Sequence, residues 1–212
     1  MRRAYDDQVF INCPFDDAYR PLFHALLFAV HACGMVARSA LEVDNAAEVR
    51  IDKIARIISE CRHGIHDLSR IEPDERSGFP RMNMPFELGL FLGAERYGDS
   101  RQKRKTCIIF DRERYRYQQF LSDIAGQDIR AHNGEADDLI RGVRNALATT
   151  RPADILLDSG RSMAERYAMF RHDLPALCER LRLDPADLGH RDLAWVITEW
   201  LQQNPGPGNS TN

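Results

Sequence analysis

Apolar residues recur along the chain with two different periods. Val9-Phe10-Ile11-Asn12-Cys13 is a short run closed by Pro14, which predicts a buried strand. Over residues 19–33, Leu22, Phe23, Leu26, Leu27 and Val30 return every third or fourth position, and Gly34 stands where a helix C-cap belongs. Residues 35–43 are weakly strand-like, after which Asp44 or Asn45 can cap a second helix with Val49, Ile51, Ile54, Ile57 and Ile58 turned inward. A strand is expected over residues 64–69, then a polar loop over 70–83. A helix over residues 85–97 follows, with Pro85 in its first turn and Gly98 closing it. Residues 105–110 form the next strand, 112–135 are irregular, and 136–148 are helical.

Four or five strands alternating with helices predict an α/β fold: a flavodoxin- or Rossmann-like, mainly parallel sheet with helices on both faces, over residues 1–150. Strand signals stop after Thr149-Thr150-Arg151-Pro152. Residues 151–203 read as a C-terminal helical extension of two amphipathic helices, 163–183 and 185–201, the second capped by Asp184 with Pro185 in its first turn. Trp195 and Trp200, with Leu193, Val196, Ile197 and Leu201, give that helix an apolar stripe for its own core or for a dimer seam. The Pro- and Gly-rich tail, 204–212, reads as disordered.

Composition narrows the class. The 212 residues carry 29 basic and 32 acidic side chains, a net charge of −3, with 43% hydrophobic residues. That profile excludes a disordered chain, and it argues against a general nucleic-acid binder, whose affinity comes from an excess of Lys and Arg. The five cysteines are odd in number and lack C-x-x-C spacing, as expected of reduced thiols in a cytoplasmic protein. No apolar stretch approaches the ~18 residues of a membrane span, and Met1 is followed by no signal-peptide h-region, so no membrane association is expected.

In a parallel α/β sheet, ligands bind beyond the carboxyl ends of the strands. The segments to scrutinise are therefore residues 12–17, 39–44, 67–72, 83–87 and 111–114. Neither G-x-G-x-x-G nor G-x-x-x-x-G-K-[ST] occurs, so nucleotide recognition would need another architecture. Asn83-Met84-Pro85-Phe86-Glu87-Leu88-Gly89 places a carboxylate in the first turn of an otherwise apolar helix, with Phe86 and Leu90 expected inward. Gly89 and Gly93, four apart, suggest close approach of another backbone or of a flat ligand. The plainer alternative is that Glu87 complements the helix dipole and the glycines pack on a strand. His63 and His66 flank Gly64, but no fourth convergent ligand accompanies them and Cys61, so no metal site is expected.

The element order, with a helix opening on Phe86-Glu87-Leu88-Gly89, resembles the nucleoside 2-deoxyribosyltransferase family and the related TIR domains over about residues 8–148. The chain keeps the Glu-Leu but lacks the Trp-Cys of the TIR pattern, and it has Arg81 six residues before the glutamate. The resemblance implies Glu87 as the catalytic carboxylate, stabilising or attacking an oxocarbenium-like sugar carbon. It also implies cleavage or transfer of an N-glycosidic bond with no cofactor, NAD or another nucleotide being the substrate. Relatives of this kind often act as NAD-depleting effectors, which implies a bacterial stress or antiphage setting. Asp67 and Ser69 are candidates to hold the sugar hydroxyls, Asn12, Phe15 and Asp17 are candidates for the opposite wall, and Asn83 is a further substrate-binding candidate. Asp111 lies at a further strand end, and Phe15 or Tyr19 could stack on a base. Arg112 and Arg114, with Arg116, are candidate phosphate ligands. The polar segment 111–133 is long enough for a lid, and its Gln127, Asp128 or Asn133 could enter from a second copy in a homo-oligomer. The rival reading is a nucleotide-sensing or protein-interaction module of the same fold.

Overall fold

A computed structural model of the chain describes residues 4–73 and 78–206. Five strands form one all-parallel sheet: β1 (Gln8–Asn12), β2 (Val36–Ser39), β3 (His63–Asp67), β4 (Thr106–Asp111) and β5 (Arg130–Ala131), in the order β2-β1-β3-β4-β5. This is the flavodoxin-like strand order, with its switch point between β1 and β3. Registry runs Phe10 opposite Gly64 and His66 opposite Ile109, and Asp67 lies opposite Phe110. The carboxyl ends of β1, β3 and β4 therefore lie level along one edge.

Among the described residues there are six α-helices around the sheet: α1 (Arg20–Ala32), α2 (Arg50–Glu60), α3 (Asn83–Tyr97), α4 (Ala136–Ala148), α5 (Gly160–Leu181) and α6 (His190–Gln203). Strand residues alternate between the two faces, as the two-residue period requires. Val9, Ile11, Ile65, Ile108 and Phe110 pack with α1 and α4, whereas Phe10 faces Ile54, Ile57 and Phe91 of α2 and α3. Gly34, with φ +73°, lets the chain reverse after α1 and join β2, and Met35 N donates to Val30 O at 3.2 Å.

The last two helices form an outer layer on α1 and α4. Phe28 of α1 meets Tyr167, Phe170 and Trp200 at ring-centroid separations of 5.3, 5.4 and 5.9 Å, so α5 and α6 share the core of the sheet's first face. Within the α6 stripe, Leu193, Val196, Ile197 and Trp200 are buried, while Trp195 is turned outward. Ser39 Oγ, at the end of β2, lies 3.0 Å from His190 Nδ1 at the start of α6.

Several local expectations change. Asp184 caps only a short turn, Pro185–Asp187, accepting from Ala186 N at 2.9 Å; α6 starts later, at His190, with Gly189 as its N-cap. Val49 and Ile51 are exposed at the mouth of α2, because the stripe that reaches the sheet starts only at Ile54. The tail residues 207–212 and loop residues 74–77 lie outside the described residues.

Candidate functional site

A cleft of about 200 Å³ opens beyond the carboxyl ends of the strands. Asn12, Cys13, Phe15 and Asp16 enter it from the segment after β1, and Arg50 from the first residue of α2. Arg70 and Arg81 enter from the segment after β3, and Asn83, Met84 and Glu87 from the first turns of α3. Asn12 is buried and fastens two of these walls: its Nδ2 donates to Met84 O at 2.9 Å and faces His66 Nδ1 at 3.0 Å.

Glu87 faces inward for a simple geometric reason. Met84, Leu88 and Phe91 form a buried apolar stripe of α3, and Glu87 shares their i, i+3, i+4, i+7 face. Only 5% of the residue is exposed, although it lines the cleft. Burial pushes its carboxyl up to about 6, opposed by Arg50, whose Nη2 lies 3.9 Å from Glu87 Oε1. Cys13 is no rival nucleophile, because burial, reinforced by Asp67 and Glu87, pushes its thiol well above the ordinary value and keeps it protonated. Phe86 projects outward and is 57% exposed, contrary to the expected inward packing, since it sits one helical step from the Glu87 face. A Cβ added at Gly89 or Gly93 would meet nothing within 4 Å, so no backbone of the described residues approaches these glycines.

Beside the cleft, at the ends of β3 and β5, lies an enclosed polar cluster. Asp67 Oδ1 accepts from Ser69 N at 2.8 Å and from Ser69 Oγ, while Tyr19 OH donates to Asp67 Oδ2. His132 Nε2 stands 3.0 Å from Asp67 Oδ2 and 2.7 Å from Ser69 Oγ. Burial alone would raise the Asp67 carboxyl, but the donors from His132, Ser69 and Tyr19 outweigh it and hold the group below its ordinary value. Asn133 and Gly134 both adopt positive φ, 56° and 81°, and this turn brings Gly134 N to 3.0 Å from His132 Nδ1.

Ser69, His132 and Asp67 are the residue types of a hydrolytic triad, but their wiring is different. His132 Nδ1 accepts the backbone N–H, so Nε2 carries the proton, and both Asp67 and Ser69 crowd that same nitrogen. A triad histidine instead presents a bare nitrogen to the serine and its N–H to the carboxylate. Here Ser69 donates to Asp67, and the imidazole cannot take its proton.

The sequence-predicted residues separate into groups. Asn12, Phe15, Asn83 and Glu87 meet in the cleft, with Phe15 edge-on to Phe23 at 5.4 Å. Asp17 faces solvent and pairs with Arg20. Asp67 and Ser69 are enclosed in the polar cluster. Tyr19 is fixed there too by its hydroxyl and is buried, so it offers no open face for a base. Asp111 is also buried: its Oδ1 accepts from Arg112 N at 2.7 Å and Arg116 Nη2 at 2.5 Å, and among the described residues its Oδ2 has no hydrogen-bond partner. Arg112 and Arg114 are exposed and outside the cleft, Arg114 lining a separate polar hollow along β5 and α4 with Tyr115, Gln127 and Asp128. Arg116 bridges Asp111, Leu68 O at 2.9 Å and Glu72 at 2.5 Å.

The cations of the cleft are instead Arg50, Arg70 and Arg81. The strand-end rule already covered Arg70, and the start of a helix that follows a strand is the corresponding signal for Arg50.

The chain matches no known family model and no curated protein. Among the described residues, no group of three or more His, Cys, Asp and Glu could hold a metal ion, and no helix is long and apolar enough to cross a membrane.

Proposed function

We propose that the protein breaks or transfers the N-glycosidic bond of a nucleoside or nucleotide, with Glu87 acting at the sugar's C1. A nicotinamide dinucleotide is the first substrate to test. The observation that supports this reading is a nearly enclosed carboxylate lining a cleft at the switch-point end of a parallel sheet, with its proton affinity raised by burial to about 6. Near neutral pH such a group is mostly ionised, and in a desolvated setting its charge stabilises an oxocarbenium-like carbon strongly. In hydrolysis the C1–N bond breaks and its electron pair departs with the base. Water supplies hydroxyl to C1 and a proton to the base, or, for a cationic nicotinamide, to solvent. In transfer, a second base takes the place of water. The resemblance to deoxyribosyltransferases and TIR domains agrees with this assignment.

Incubation of purified protein with NAD, nucleosides and nucleoside monophosphates, followed by chromatography, tests it. Free nicotinamide or free base is expected, falling at least a hundredfold in Glu87→Gln, which keeps the shape and removes the charge. Absence of release from every substrate, or undiminished release by the variant, would sink the assignment.

A further inference from the structure

We infer that the cleft takes a sugar carrying its own phosphate, so that the substrate is a nucleoside 5′-phosphate or a dinucleotide and not a neutral nucleoside. This rests on Glu87 acting at C1.

Charge around Glu87 is the first argument. Arg50, Arg70 and Arg81 line the same cleft as the carboxylate. Arg70 is already engaged, its Nη2 lying 3.0 Å from Asp16 Oδ1. Arg50 and Arg81 are both exposed, and the 3.9 Å approach of Arg50 to Glu87 is too long to hold it away from a ligand. Arg50 is also the first residue of an eleven-residue helix whose N-terminus has no side-chain cap, so the positive end of the helix dipole lies at the same place.

The second argument concerns the transition state. With Nη2 3.9 Å from Glu87 Oε1, the Arg50 charge stands within one sugar ring of the carbon where positive charge develops. A bare guanidinium there opposes the reaction. A phosphate on the same sugar neutralises it by bidentate contact and leaves the Glu87 field unopposed. Selection for phosphate therefore belongs in kcat as well as in KM.

Size is the third. About 200 Å³ is below the ~300–1,000 Å³ of sites that enclose whole drug-sized ligands, and suits a sugar phosphate with the base at the mouth.

Ribose 5-phosphate and ribose, titrated calorimetrically, test the site. Ribose 5-phosphate should bind at least tenfold more tightly than ribose. Its affinity should fall at least tenfold in the Arg50→Ala/Arg81→Ala double variant and stay unchanged in Arg161→Ala, a charge change on the outer face of α5. In turnover, the double variant should lose nucleoside 5′-phosphate cleavage selectively. The inference is overturned if ribose 5-phosphate binds no better than ribose, or binds the double variant as it binds the wild type. Base release from nucleosides and nucleotides alike, indifferent to both arginines, also overturns it while leaving the Glu87 assignment standing. Arginine-dependent binding of ribose 5-phosphate with no base released from any substrate does the converse: the sugar-phosphate site stands and the glycosidase reading falls.

Discussion

Arg50 and Glu87 face each other at 3.9 Å across the cleft, the arginine half in solvent and the glutamate buried. The pair is too long for a strong ion pair, so burial dominates the glutamate. Its folded-state carboxyl lies near 6, above the unfolded value of 4.5. Between those values the native state binds more protons than the unfolded state, so stability falls as pH rises through that window and is constant above it. A shift of roughly 1.5 units corresponds to about 2 kcal/mol. Chemical denaturation of wild type and Glu87→Gln below about pH 4.5 and near neutrality should show the variant gaining about 2 kcal/mol relative to wild type over the interval. A pH-independent difference would contradict the buried, raised carboxyl. Base release by the wild type should fall off as pH drops below about 6.

The Ser69–His132 contact is predicted to be structural. Ser69→Ala and His132→Ala should each destabilise the fold by about 1–3 kcal/mol through loss of buried hydrogen bonds, measured by urea denaturation. Folded Ser69→Ala should retain base-releasing activity. Its abolition with stability intact would revive the triad. Because the Asp67 carboxyl is held below its ordinary value, its contribution is present at neutral pH and is lost as pH falls through its folded-state value.

Arg116 ties the segment after β3 to the end of β4 through Asp111, Leu68 O and Glu72. Removing it leaves the Asp111 carboxylate buried without its cation, a loss of about 3–5 kcal/mol. The expected result for Arg116→Ala is a lower Tm together with faster tryptic cleavage after Arg70 and Arg81. Cleavage at the wild-type rate would show that other contacts hold the segment.

Two glycines should respond to alanine with opposite signs. At Gly64 a Cβ would meet the Phe91 ring at 2.6 and 2.7 Å and His66 Nε2 at 2.8 Å, so Gly64→Ala is expected to destabilise by about 1–3 kcal/mol. At Gly89, where a Cβ meets nothing within 4 Å on an exposed helix face, alanine should stabilise by about 1 kcal/mol. Thermal melts of the two variants decide both, and destabilisation by Gly89→Ala would reveal a contact on that face.

The alternation of strand and helix was legible because each element buries one face, which writes periods of 2 and 3.6 into the sequence. Val9-Phe10-Ile11, the α1 stripe with Gly34, and Pro85 with Gly98 around α3 all followed from that local physics. Glu87 was legible as an oddity, a charge in an apolar first turn, but the apolar pattern points Phe86 and Leu90 inward, and only the packed helix shows that Glu87 shares the face of Met84, Leu88 and Phe91. What periodicity cannot encode is which residues from different loops converge. Arg50 and Arg81 belong with Glu87 only because the parallel sheet aligns the carboxyl ends of β2, β1 and β3, after which α2 and the segment leading into α3 begin. His132 joins Asp67 across 65 residues only because a two-residue strand, β5, sets its approach and the Asn133-Gly134 turn orients the ring. Likewise, 112 and 114 alternate with 116 in sequence, yet only Arg116 turns inward, drawn by the buried Asp111. Burial patterns depend on neighbours in the chain, and so the sequence by itself determined the long elements and the α/β class, while the two-residue β5 inside the stretch read as irregular came only from the fold. Electrostatic partnership depends on distance in space, and it was decided by the tertiary structure alone.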